Sequence, residues 1–93
     1  MNNNAVIATN EQFEISEVGE SIIILEPNLE EVYIVNGVEK DIWELIDGDS
    51  TVADIIDSIE NIYEGDGIES DIKEFLQSLI DKKIIYCMEP KDV

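Results

Sequence analysis

An α+β fold is expected from this chain, with an N-terminal three-stranded antiparallel meander followed by a three-helix bundle. Three features point there. Short β-branched and aromatic runs fill the first third. Apolar stripes at helical spacing fill the rest. Between them, Tyr33 to Ile59 reads as a strand running into a capped helix, a glycine stop and a second capped helix.

Met1 to Gln12 is polar and without periodicity, and reads as a flexible tail. Phe13 to Val18 alternates apolar with polar until Val18 falls out of step, making a weak first strand. Gly19-Glu20 is a tight turn. Ser21 to Leu25 carries four consecutive aliphatics, which suggests cover on more than one face or a partner at an edge. Pro27-Asn28 ends that strand with turn chemistry, and Val32 to Val35 forms the third.

The first helix is expected over about Gly37 to Asp47. Asn36 and Glu39 would form a capping box at its start, and Gly48 would take the left-handed position after its end. Val38, Ile42, Leu45 and Ile46 are its apolar face. Thr51 and Asp54 repeat the cap for a second helix, Val52 to Tyr63, with Val52, Ile55, Ile56 and Ile59 inward. After a loop at Glu64 to Gly67, Ile72, Phe75, Leu76, Leu79 and Ile80 stripe a third helix, Glu69 to Lys82. Acids at its start and lysines at its end suit the helix dipole. Ile84 to Tyr86 adds a short terminal strand. The expected organisation is a tail at 1–12, one domain at 13–88 and a flexible end at 89–93.

Ninety-three residues build one modest core, burying roughly 60% of the unfolded surface. No apolar run approaches the ~20 residues of a membrane span, and the N-terminus lacks the pattern of a signal peptide. Cys87 is the lone cysteine and cannot form an internal disulfide, which fits a free thiol in a reducing cytoplasm. Twenty-three acids face five lysines, with no arginine or histidine, for a formal charge of −18. Such a surface repels nucleic acid and anionic lipid and attracts basic partners.

Most chemical motifs fail on inspection. Asp47-Gly48-Asp49-Ser50-Thr51 opens like a calcium loop, but the sixth and twelfth positions are Val52 and Ser58 instead of glycine and glutamate. No histidine is present to activate Cys87 or ligate a metal, so neither catalysis nor a metal or cofactor site is expected. Asp57-Ser58-Ile59 is similar to the attachment site of acyl or peptidyl carrier proteins. That serine begins a helix, however, whereas Ser58 falls in mid-helix, where an exposed serine on the polar face is the plainer reading. The element order is also winged-helix-like, yet the third helix offers only Lys73, Lys82 and Lys83 against Glu69, Asp71, Glu74 and Asp81. Direct DNA binding is not expected.

A three-stranded meander cannot stand alone, so the helices must cover one face, and two strand edges remain. The third strand runs straight into the first helix and carries no lysine or proline from Val32 to Val35. A helix or the tail covers this edge, or it accepts another strand. Dimerisation through the same edge also stays open.

The run Val35-Asn36-Gly37, Ile42-Trp43-Glu44-Leu45, Asp47-Gly48, Thr51-Val52-Ala53-Asp54-Ile55, Asp71-Ile72, Phe75-Leu76, Leu79 and Ile84-Ile85 resembles PqqD-like proteins. These are the peptide-recognition elements of ribosomal peptide natural-product pathways, including standalone proteins of lasso-peptide and radical-SAM clusters. The resemblance spans about Phe13 to Tyr86. It implies three strands followed by three helices and no catalysis. It further implies that the leader segment of a precursor peptide adds as a strand between the third strand and the third helix, for a separate maturation enzyme (a radical-SAM enzyme, leader protease or cyclase). The strand partner would be Glu31, Val32, Tyr33, Ile34 and Val35; the helix wall would be Asp71, Ile72, Phe75 and Leu79. Glu30, Glu31 and Asp71 would steer a basic or amphipathic leader. The family favours glycine where Lys83 stands, so the third helix is expected to end differently.

Overall fold

The computed structural model describes residues 3–27, 31–63 and 67–88. Its elements run β1 (Val6–Thr9), β2 (Glu14–Val18), β3 (Ser21–Leu25), β4 (Val32–Val35), α1 (Gly37–Glu44), α2 (Val52–Ile62), α3 (Ile68–Asp81) and β5 (Ile85–Met88). The expected meander is β2-β3-β4, antiparallel throughout. The expected loop at Glu64 to Gly67 falls mostly outside the described residues. So do Asn28, Glu30 and the C-terminal end from 89 onward.

The largest correction concerns the N-terminus. Residues 6–9 are not a tail: they pair antiparallel with β5, Val6 opposite Met88 and Thr9 opposite Ile85, in a second, two-stranded sheet. Ala5 and Ile7 are fully buried. The same segment is stitched to the α1–α2 connection, where the Gly48 amide donates to the Ile7 carbonyl (3.1 Å) and the Val52 amide to the Ala5 carbonyl (3.0 Å). β1 was illegible because both its partners are distant in sequence and its own pattern is only four residues long.

In the three-stranded sheet Ile22, Ile24 and Val35 point into the helices and are buried. Ile23 and Leu25 are half-buried on the opposite face, beside the exposed Val32 and Ile34. The aliphatic run of β3 is therefore covered on one face only among the described residues. Phe13 precedes β2 rather than joining it, and turns into the core.

Two of the expected caps differ. Thr51 and Asp54 form the expected box: the Asp54 amide donates to Thr51 Oγ1 and the Thr51 amide to Asp54 Oδ2, both at 3.1 Å. Asn36 is extended at the start of α1, but its side chain makes no cap bond. A left-handed Gly37 (φ 59°) stands between it and the first turn, breaking the register a capping box needs. The first helix also ends early, at Glu44. Gly48 is left-handed (φ 85°) in a separate turn, where Asp47 Oδ1 accepts from the amides of Asp49 (2.9 Å) and Ser50 (2.8 Å). Those bonds hold the Asp47 carboxyl below its ordinary pKa.

One buried cluster joins the layers, with Ile42 and Trp43 of α1, the expected face of α2, and Ile72, Leu76 and Leu79 of α3 packed on Ile84 and Ile85. Val38, expected on the apolar face of α1, is 40% exposed.

Helix α3 ends with the Ile84 amide donating to the Leu79 carbonyl (3.0 Å) and the Lys83 amide to the Ile80 carbonyl (2.9 Å), a Schellman motif. The helix thus ends as a glycine-stopped helix would, with Lys83 itself left-handed (φ 64°). That conformation costs a non-glycine residue about 1–2 kcal/mol. Glycine recovers it but loses part of the gain to its freer unfolded chain, so Lys83→Gly is expected to stabilise by about 0.5–1 kcal/mol. A higher Tm in thermal melts checks this.

Candidate functional site

The main-chain geometry of β4 follows from its register. The Glu26 amide donates to the Glu31 carbonyl (3.3 Å), just beyond the pairs Leu25–Val32, Ile24–Tyr33, Ile23–Ile34 and Ile22–Val35. Antiparallel pairs alternate between bonded and non-bonded, so Tyr33 and Val35 turn their amides and carbonyls to β3. Those of Val32 and Ile34 face outward. β4 is an edge strand, and β1 pairs with β5 rather than covering it.

Along that margin runs a cleft of about 280 Å³, with Val32, Tyr33, Ile34 and Val35 on one side and Phe75, Ser78, Leu79 and Lys82 on the other. The two walls belong together because α3 presents Phe75, Ser78, Leu79 and Lys82 at spacings of three and four, one helical face. Glu39 also lines the cleft. Beyond it, Glu39, Asp71, Glu74, Phe75 and Ser78 surround an adjoining space.

Of the residues expected at the site, Val32, Tyr33, Ile34, Val35, Phe75 and Leu79 line the cleft. Asp71 lies in the adjoining acidic space. Ile72 is buried at 1% exposure and is part of the helix core. Glu31 is not in the wall: its carboxylate, with that of Glu26 (3.3 Å), accepts from the Tyr33 hydroxyl. Glu39, Ser78 and Lys82 were missed. Ser78 and Lys82 were findable, by extending the Phe75 face one turn further.

Charge is uneven along the cleft. Lys82 Nζ sits 5.4 Å from the centroid of the Tyr33 ring at one end, a cation–π contact. Glu39, Asp71 and Glu74 gather at the other. Lys40 and Lys73 are engaged elsewhere, with Glu44 (3.7 Å) and Glu69 (3.1 Å).

The hydrogen bond to Glu31, then burial and the Glu26 charge, hold the Tyr33 phenol well above its ordinary pKa. Tyr63, whose hydroxyl donates to Asp41, is raised likewise. The folded chain keeps these protons longer than the unfolded chain. Their stabilisation is therefore complete below about pH 10 and is lost as pH rises further. Stability measured in denaturant should fall across that alkaline window, and Tyr33→Phe should flatten the fall.

Among the described residues, no helix is long and apolar enough to cross a membrane. Among the described residues, the fold is a three-stranded and a two-stranded antiparallel sheet with three helices, and the β4 margin is unpaired and faces α3 across a cleft. Residues 21–85 match the family described as coenzyme PQQ synthesis protein D (PqqD). The chain belongs to the PqqD family. It is also similar to a solved structure described as TbiB1 in complex with the TbiA(beta) leader peptide, with a TM-score of 0.75 and 20% identity over 84% of this chain and 93% of that one. No curated protein matches it.

Proposed function

We propose that this chain binds the leader segment of a ribosomally made precursor peptide and presents it, in the cytoplasm, to a separate maturation enzyme. The leader adds as a strand to β4, in the cleft against α3, and the chain itself performs no chemistry. The observation that carries this reading is the outward main chain of Val32 and Ile34, opening onto a cleft whose far wall sets Phe75 and Leu79 beside the polar Ser78 and Lys82. The leader peptide bound to the similar TbiB1 supports it.

Magnitudes say what the cleft must add. The amides and carbonyls of Val32 and Ile34 offer four hydrogen bonds, together worth about 2–6 kcal/mol net. A micromolar complex needs about 8 kcal/mol. Side chains entering the cleft must supply the remainder, and the leader's sequence is read there.

The test is fluorescence anisotropy with a labelled leader peptide copied from the short precursor encoded nearest this chain's gene. Saturable binding is expected, weakening several-fold as salt rises to physiological strength because a basic leader meets an acidic protein. Absence of binding at any salt would overturn the proposal. The carrier-protein alternative has lost its geometry: Ser58 is half-buried in the middle of α2, well past the Thr51 cap. A phosphopantetheinyl transferase should leave the chain's mass unchanged.

A further inference from the structure

The trough along β4 does not stop where β4 stops. Past Glu39 and Phe75 the acidic space opens into a third hollow of about 310 Å³, which again shares Glu39, Asp71 and Phe75. Its apolar lining comes from all three helices: Val38 and Ile42 of α1, Ile59 and the adjacent Tyr63 at the end of α2, and Ile68 and Ile72 of α3. The Tyr63 hydroxyl, bonded to Asp41, ties the α2 end to α1. Val38 lines the hollow as well and is 40% exposed, an apolar side chain left uncovered among the described residues.

We infer that the recognised segment of the leader is longer than the strand it adds. Beyond Val35, the ligand lays a lysine or arginine among Glu39, Asp71 and Glu74 and then sets a large apolar side chain into the hollow between the three helices. This rests on the leader-binding reading above. Charge complementarity selects the occupant. Glu39, Asp71 and Glu74 line the passage between the β4 cleft and the apolar hollow, and neither ion-paired lysine, Lys40 or Lys73, is bonded to any of them. A basic side chain is the group that can cross there with its stem on Phe75. A free volume of this size takes a leucine or an aromatic ring.

Direction follows from the sheet. β4 runs from Val32 toward Val35 and α1, so a guest strand added antiparallel, the slightly stronger pairing, enters at the Val35 end. Its basic and apolar anchors therefore precede the strand-forming run in sequence.

The experiment is a selection of random phage-displayed peptides, long enough for a strand and flanks on both sides, against the full chain. Peptides whose binding is lost on Ile34→Pro are then sequenced. They are expected to share an alternating β-branched run preceded by a base and a large apolar residue. Deleting that flank should weaken binding about tenfold or more, the usual effect of withholding one large apolar side chain from a pocket. Val38→Arg, or Glu39→Lys with Asp71→Lys, should make flanked and bare peptides bind alike. A flank that is absent, that follows the run, or that leaves affinity unchanged on deletion overturns the inference and leaves strand addition standing. If no selected peptide is sensitive to Ile34→Pro, the leader-binding reading falls and this inference with it.

Discussion

Ile34→Pro is expected to weaken leader binding about tenfold to a hundredfold while leaving the fold intact. The Ile34 amide points away from β3, so proline there removes a bond only the visiting strand would make, and its ring stands in that strand's path. The side chain is 61% exposed, so little packing is lost. Tyr33→Pro, one residue earlier, should behave oppositely. The Tyr33 amide bonds β3, and its hydroxyl anchors the β3–β4 hairpin to Glu26 and Glu31, so the sheet itself should fail. Circular dichroism and anisotropy on both variants separate the two effects. An Ile34→Pro chain that folds and binds like the parent would remove strand addition as the mechanism.

Ile7→Ala should cost about 2–5 kcal/mol, the usual penalty for hollowing a tightly packed site. A domain of this size holds only about 5–15 kcal/mol in all. Removing residues 1–9 should do more and abolish a cooperative melt. That deletion takes Ala5 and Ile7 from the core. It also strips the bonds from Gly48, Val52 and Ala53 that fix the α1–α2 connection. If the truncated chain melted within a few degrees of the parent, the two-stranded sheet would be an accessory to the fold.

These two substitutions mark what was and was not legible in the residues. The β3–β4–α1–α2–α3 order could be read because each element announces itself locally. Thr51 with Asp54 is a cap, and Val52, Ile55, Ile56 and Ile59 are a stripe whose every member proved buried. β1 could not, since its meaning lies in partners some eighty residues away. The site divided in the same manner. The pairing of β4 with Phe75 and Leu79 followed from the family resemblance and from helix spacing. Which β4 amides face outward depended on the hairpin's register, set at Glu26 and Glu31, and no single-strand pattern encodes that. Glu39 was read as a cap partner for Asn36. The left-handed Gly37 prevented that bond, and Glu39 became instead the residue at the junction of the cleft and the hollow.

The pairing of Val6 with Met88 brings the start of the first strand and the end of the last side by side, about 5 Å apart at the Cα atoms. A module whose entrance and exit share one doorway can be spliced into a surface loop of a larger enzyme without prising that loop open. The same architecture can therefore serve as a freely diffusing adaptor or as a built-in cassette, with no redesign of its interior.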